Sequence, residues 1–299
     1  MRVDPNYVRG LVVSLNNSTL AEQKLTGELS SGLAVSSLSD NPVAAGQASL
    51  LTAAISQDDS FVQAATSMQS LMQVTDSALG SVVTQLTSAL SIAVEGNSGT
   101  ENSSNLMSLS QQMGSIRDQV VALANSSYQG TYIFSGSDGS VQPFTVDTST
   151  VPATTTYNGD SNAGAVTTEN GQQIQTGLAG SAVFAAPGAD VMSALNNLVA
   201  DFSSGTPSPT SSADIGVLQV ALSNVTQQRS ILDSSLVRLQ STSSYAQTDA
   251  VNDTAAVGTL VAADPATIAT QLSSVETQNQ ALMSVIATVE KQSLFDMIQ

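Results

Sequence analysis

The stretch DPATIATQLSSVETQNQALMSVIATVEKQS, residues 264–293, sets its apolar side chains on a coiled-coil grid. Ile268, Leu272, Val275, Asn279, Leu282, Ile286, Val289 and Ser293 follow at alternating steps of four and three, and only Asn279 and Ser293 among them are polar. Side chains spaced in this way share one helix face, which predicts a long helix with a single apolar stripe. Asp264 and Pro265 start it as N-cap and first helical residue. The other end of the chain repeats the arrangement. Val8, Leu11, Leu15, Leu25 and Leu29 occupy the same kind of grid, Ser18 and Glu22 fill its gaps, and Asp4-Pro5 gives the same start signal. Chain ends ordinarily fray and carry little apolar pattern. A sticky stripe at both ends predicts that the ends pair with each other, with other copies of the chain, or both.

Proline marks the organisation between those ends. None occurs from residue 43 to 142 or from 210 to 264, so both windows read as helix. After Asn41-Pro42, a seam of Leu51, Ile55, Asp58, Val62, Ala65, Gln69, Met72, Asp76, Leu79, Val83, Leu86 and Leu90 keeps the four-three alternation until Gly96 to Gly99 break it. Ser103 or Ser104 is placed to cap a further helix carrying Leu106, Leu109, Met113, Ile116, Val120 and Leu123. A last long seam runs through Leu218, Leu222, Val225, Arg229, Leu232, Leu236, Leu239, Ser243, Ala246 and Ala250. Arg117 and Arg229 sit on these grids, where each either pairs with a carboxylate of a neighbouring helix or lays its stem along the seam.

Residues 130–190 differ in kind. They are rich in glycine and carry β-branched and aromatic runs, Thr131-Tyr132-Ile133-Phe134 and Thr154-Thr155-Thr156-Tyr157. Asp138-Gly139, Asn158-Gly159 and Asn170-Gly171 are hairpin-turn signals. This predicts a small β domain inserted between helical halves, with a short helix from about Asp190 to Phe202 returning the chain. The insert interrupts the seams rather than continuing them, so the helical part is expected to fold without residues 140–188. The predicted fold is mainly α: an elongated antiparallel, coiled-coil-like bundle built from both chain ends, with a small β domain inserted. Its segments are a terminal helix over 1–40, bundle halves over 41–129 and 206–260, the insert over 130–205, and a second terminal helix over 261–299.

Composition narrows the function. The formal net charge is −17, with only 7 Lys and Arg, and neutralising phosphates requires a basic patch. Nucleic acid and anionic membrane surfaces are therefore not expected partners. The chain has no Cys and no His, which excludes thiol and imidazole catalysis and the common zinc sites. No cofactor and no metal is expected, and no enzyme. Asp58 and Asp59 are adjacent, so on a helix they point apart, which suits a solvated face better than a catalytic pair. The Asp138-Gly139 and Asn158-Gly159-Asp160 runs lack the remainder of a calcium-loop pattern and read as turns. No stretch has the form of a cleaved leader or an unbroken apolar membrane span.

Two groups of residues carry a resemblance. Leu29-Ser30-Ser31-Gly32-Leu33-Ala34-Val35 leads into Ser39-Asp40-Asn41-Pro42-Val43-Ala44-Ala45-Gly46-Gln47-Ala48. This resembles the N-terminal signature of the flagellin superfamily, in which a helix ends at a Ser-x-Gly turn and steps into the next. The residues agree, since Gly32 is suited to end one helix and Pro42 to begin another. Ile116 to Asn125 then leads to Gly130-Thr131-Tyr132-Ile133-Phe134-Ser135-Gly136, and the tail carries Gln292-Ser293-Leu294-Phe295-Asp296-Met297-Ile298. Both segments resemble the hook-associated protein 3 family. Leu33-Ala34 departs from the basic residues often found after Ser-x-Gly in the superfamily.

The resemblance implies a structural subunit at the junction of flagellar hook and filament, outside the cell and exported without a cleaved leader. It also implies self-assembly, contacts with hook-associated protein 1 and with flagellin, and an export chaperone that binds the C-terminal helix. Val8, Leu11, Leu15, Leu25, Leu29, Leu272, Val275, Leu282, Ile286, Val289, Leu294 and Phe295 are then the expected assembly interface. A filament subunit, or a secreted binding module acting through the β insert, are the competing readings. The stripes themselves also admit a plain intramolecular core.

Overall fold

A computed structural model of the chain describes residues 5–168, 171–206 and 210–296, with the side chains at 5, 6, 8 and 290–296 left out. The elements in order are α1 (Pro5–Ser31), α2 (Pro42–Gly96), α3 (Ser103–Ala124), β1 (Ser127–Tyr128), β2 (Thr131–Tyr132), β3 (Phe144–Asp147), β4 (Thr154–Tyr157), β5 (Ala165–Thr167), β6 (Gln173–Gln175), α4 (Gly180–Phe184), β7 (Ala185–Ala186), β8 (Ala189–Asp190), α5 (Val191–Ser203), α6 (Ser211–Val261) and α7 (Pro265–Asp296). Long helices dominate and the strands form only two-stranded antiparallel pairs, the mainly α fold that the sequence predicts. Two compact units result: Met1–Asp58 with Thr248–Gln299, and Asp59–Gln247. We call them the terminal and central units.

Helix ends fall where cap chemistry puts them. Gly32 takes φ +71 and its N–H closes on Glu28 O at 2.9 Å, the left-handed C-cap that glycine adopts without a Cβ penalty. Asn41 Oδ1 accepts from the N–H groups of Val43 and Ala44, and α2 begins at Pro42. The cap of α3 is Asn102, not Ser103 or Ser104; its side chain accepts from Asn105 N at 2.9 Å. Asp190 caps α5 through Ser193 N.

The central unit has a closed core. Every one of the largest fully buried side chains, among them Phe134, Phe144, Phe184, Phe202, Met72, Leu79, Leu86 and Leu195, lies in it. On α6 Leu218, Val225, Leu232, Leu239, Ser243, Ala246 and Ala250 of the predicted seam are buried, joined by Ile215, Ala221 and Ser235, while Leu222, Arg229 and Leu236 are only partly so. On α2 the seam is wider than predicted. Ala65, Met72, Leu79 and Leu86 are buried as expected, but Phe61, Thr75, Val82 and Ala89 are buried too, whereas Val62, Gln69, Val83 and Leu90 are only partly so. Three positions per heptad, rather than two, mark a helix packed into a multi-helix core rather than into a two-helix seam. By length and composition α2 would also suffice to cross a membrane, with a mean hydropathy of 1.4 over its most apolar window; here that apolarity supplies the core stripe.

The two arginines take different roles. Arg229 reaches across to Asp76, with Nη2 3.0 Å from Oδ2 and Nε bonded to Oδ1. Arg117 pairs instead with its sequence neighbour Asp118 at 2.8 Å and keeps its side chain only 12% exposed, so its stem covers the α3 seam. Gly96 sits where the Phe202 ring comes so close that a Cβ would lie 2.6 Å from it. Ser and Thr hydroxyls on the outer faces of the long helices bond back to the carbonyl four residues earlier, as at Thr66, Ser77, Ser81, Thr87 and Thr226.

The insert departs from the predicted hairpins. β4 covers Thr154–Tyr157 as predicted, but it pairs with β3 through a loop containing the cis Val151-Pro152 bond, and Asn158-Gly159 follows the pair instead of turning it. Of the third dipeptide, Gly171 lies in the loop between β5 and β6 with φ +75, and Asn170 is outside the described residues. The insert is also not separable from the helical core. Phe144, Ile174, Leu178, Val183 and Phe184 belong to the same apolar cluster as α3 and α5. Phe184 meets both Phe134 and Phe144 edge-on, with ring centroids 5.1 and 5.5 Å apart. Asn125, at the end of α3, donates to Phe144 O at 2.9 Å and accepts from Phe144 N at 2.8 Å. Four aromatic residues, Phe134, Phe144, Tyr157 and Phe184, meet at this junction.

Replacing residues 140–188 by a Gly/Ser linker is therefore expected to destabilise the central unit, contrary to the sequence-based expectation. The point substitution Phe184→Ala should lower its unfolding free energy by about 3–5 kcal/mol, measured by denaturant unfolding. Unchanged unfolding of both variants would show that the insert is a passenger.

Candidate assembly interface

α1 and α7 pack side by side in the terminal unit. They run antiparallel: Asn279 Nδ2 donates to Glu22 Oε2 at 2.6 Å, while Leu33 bridges Ala262 at the other end. The stripe read from the sequence is the contact face. On α7, Leu272, Val275, Asn279, Leu282, Ile286 and Val289 are half-buried, Ile268 is buried at 5%, and the described positions between them from Ala269 to Thr288 are exposed. On α1, Leu11, Leu15, Glu22 and Leu25 are half-buried and Ser18 is buried. The terminal stripes thus find a partner within one chain, the first of the alternatives left open above.

Leu29 leaves the grid. It is 44% exposed, and Glu28 turns inward in its place, beside Gln271, Ser274 and Val275. Lys24 holds Glu28 at 3.6 Å and Asp40 at 3.4 Å across this last turn of the helix. Val8, Leu294 and Phe295 lie outside the residues whose side chains are described.

Two helices cannot enclose a seam. Most stripe residues, Ile268 and Ser18 excepted, keep part of their surface in water, and among the described residues the largest fully buried side chains are absent from this unit. Further apolar side chains face outward: Val12, Val13, Leu20, Leu38, Val43, Leu50 and Met283 are all 45% or more exposed. Sequence reasoning missed these, since they sit off the heptad grid; their signal was apolar residues at positions where a solvated helix carries charge.

The turn between α1 and α2 is built by hydrogen bonds rather than burial. Ala34 N donates to Val261 O at 2.8 Å, and Ala263 N donates to Gly32 O at 2.9 Å. Asp40 Oδ2 accepts from the N–H groups of Ser36 and Ser37 and from both hydroxyls. The Ser37 hydroxyl, then the Ser36 and Ser37 amides, hold the Asp40 carboxyl down to about 2 from 3.8. The signal for this clamp was an Asp closing a Ser-rich turn. Asp264 is lowered in the same way by the Thr267 hydroxyl and the N–H groups of Ala266 and Thr267. No group of three or more metal-ligating side chains occurs among the described residues.

Residues 11–138 match the bacterial flagellin N-terminal helical region. Flagellar hook-associated protein 3 of Salmonella typhimurium is 34% identical over 131 residues, 44% of this chain and 41% of that protein. The chain thus spans 41% of the length of the curated relatives it matches. A flagellar hook-associated protein from Vibrio parahaemolyticus shares the fold with a TM-score of 0.62 at 20% identity, over 74% of this chain and 99% of that one. The flagellar junction protein FlgL from Legionella pneumophila does so with a TM-score of 0.56 at 12% identity, over 64% and 99%. The chain resembles the flagellin superfamily through its N-terminal region, and hook-associated protein 3 over a segment of 131 residues.

The Asp40 clamp gives a pH signature. Its folded pKa lies below its unfolded value, so its contribution is complete above the unfolded 3.8 and is lost as pH falls toward about 2. Amide exchange at Ser36 and Ser37 is expected to accelerate through that window beyond the intrinsic pH dependence. Asp40→Asn should abolish the step, and a step that survives the substitution would assign it elsewhere.

Proposed function

We propose that this protein is a structural subunit of the bacterial flagellum that forms the junction between hook and filament. It self-assembles and contacts hook-associated protein 1 on one side and flagellin on the other. It acts outside the cell and is escorted by a chaperone that binds the C-terminal helix. It carries no catalytic site, binds no nucleic acid and inserts in no membrane. The observation that carries the reading is the unfinished burial of the terminal unit: a pair of striped helices with a half-covered seam and apolar side chains facing out. Such a surface is completed by more helices of the same kind, and copies of one chain supply them by head-to-tail contacts that repeat. The flagellin-type N-terminal region and the likeness to hook-associated protein 3 support the same conclusion.

In this reading Leu11, Leu15, Leu25, Leu272, Val275, Leu282, Ile286 and Val289 form the seam that assembly closes, with Val8, Leu294 and Phe295 continuing it and Leu29 exposed beside it. The charge balance suits contact between identical copies. Residues 1–35 hold three bases, Arg2, Arg9 and Lys24, against three acids, Asp4, Glu22 and Glu28, so like faces do not repel strongly.

The test is the double substitution Leu282→Ala with Ile286→Ala. Expected are near-normal thermal unfolding of the central unit, and cells with hooks, few filaments and subunit shed into the medium. Unfolding of the entire monomer would make the seam ordinary core. Purified native protein that polymerises into long filaments alone would make it a filament subunit.

A further inference from the structure

Away from its seam, the exterior of α6 is low, with outward Thr226, Ser234 and Thr242 bonded back to their own helix. One stretch stands above that floor. Ile231, Ser234, Arg238, Ser241 and Tyr245 follow at steps of three and four, which puts them on one face, and all are exposed, Tyr245 at 66%. Val237 lies beside them, also exposed. The face carries an unmatched charge. The bases of the central unit are Arg117, Arg229 and Arg238. The first two hold Asp118 and Asp76, and Arg238 has no carboxylate partner among the described residues. Tyr and Arg are among the side chains enriched at interfaces.

An opposite feature projects from the insert. The loop between β3 and β4 carries Val151, at 83% the most exposed large apolar side chain among the described residues, followed by the exposed Pro152. At the root of the loop Asp147 is exposed, and its Oδ1 accepts from the N–H and the hydroxyl of Ser149 at 2.9 and 2.6 Å. The hydroxyl first, then the amide, holds that carboxyl below its ordinary 3.8, so it is charged at neutral pH. Between Arg117 and Arg229 the sequence has no base, so no cation of the insert offsets it.

The loop and the face belong to one chain but cannot meet within it. Pro152 lines a cavity with Ala213 and Asp214 at the start of α6, and from Asp214 to Arg238 that helix rises about 36 Å. An acidic, apolar tip and a basic, apolar face set that far apart suit a head-to-tail contact, in which the tip of one copy meets the face of the next.

We propose that the β3–β4 loop of one copy docks on the α6 face of a second copy, with Val151 seated over Ser241 between Arg238 and Tyr245, and Asp147 paired to Arg238. That copies meet at all rests on the reading of the chain as a self-assembling subunit; where they meet rests on this complementarity. An exposed ion pair adds little affinity and mainly fixes register and excludes wrong faces, so the contact gains its weight by repeating from copy to copy.

The chain has no Cys, so introduced thiols report the contact. Full-length Val151→Cys and Ser241→Cys proteins, mixed at high concentration and mildly oxidised, are expected to form a mixed disulfide about tenfold faster than Val151→Cys mixed with Ser77→Cys, which lies on an exposed position of α2. Adding Arg238→Asp to the Ser241→Cys protein should slow the reaction about tenfold, and adding Asp147→Arg to its Val151→Cys partner should restore it, since opposite charges again face each other. Asp147→Asn keeps the turn, because its amide oxygen still accepts from Ser149, and should slow the reaction by itself. Equal rates at Ser241 and Ser77, or no rescue by the second charge reversal, overturn the proposal. The same thiols in isolated flagella separate the docking from the functional reading. A chain present at the junction without the loop–face disulfide would keep the junction reading and remove the docking, whereas the disulfide in a chain absent from the junction would do the reverse.

Discussion

A helix with one apolar stripe cannot bury it alone. Every long helix of this chain carries such a stripe, and the structure follows from what each one finds to lie against. The requirement is geometric before it is energetic: side chains at alternating steps of four and three line up on one side, and only another helix nearly parallel to the first covers them along its whole length. Stabilisation is then roughly proportional to the apolar area removed from water. A stripe half covered returns half of what it could.

The two units answer this requirement differently. In the central unit, α2, α3, α5 and α6 contribute to one cluster, and phenylalanines from the hairpin segment fill its end. Fully buried side chains follow, together with a requirement for close fit, visible where Phe202 leaves room for nothing but glycine at position 96. In the terminal unit two helices meet along one seam, and its turn is fastened by hydrogen bonds around Asp40 and Gly32 rather than by packing. One unit is complete as a folded object; the other is complete only as a surface.

The sequence was most legible where one periodicity governed one contact. The α7 stripe was readable residue by residue, because a two-helix seam uses two positions per heptad and nothing else competes. The α2 stripe was half legible: Met72 and Leu79 stood on the predicted line, but Phe61 and Val82 did not, because a helix with several neighbours buries a third position that a strict grid discards. Arg229 and Arg117 diverged because of the carboxylate each one reaches, Asp76 from a distant part of the chain for Arg229 and Asp118, the next residue of the same helix, for Arg117. The hairpins were least legible. Asn158-Gly159 has turn chemistry, yet the β3–β4 connection was made by residues 148–153, because strand register there answers to the packing of Phe144 and Tyr157. Leu29 strayed from its grid where a salt-linked last turn, not a partner stripe, set the orientation.

The hydroxyls that bond back to their own helices give the protein an uncommon exterior. Only 10% of residues are charged, and along the long helices the outward Ser and Thr side chains satisfy themselves within one turn. Such side chains are short and already fixed in rotamer. A surface of lysines and glutamates loses up to about 2 kcal/mol of rotamer freedom per side chain when something presses against it; this exterior has little left to lose. The hydroxyls themselves offer no charge for dissolved ions to screen, so salt acts on contacts between copies through the repulsion of the net charge of −17 rather than through these side chains.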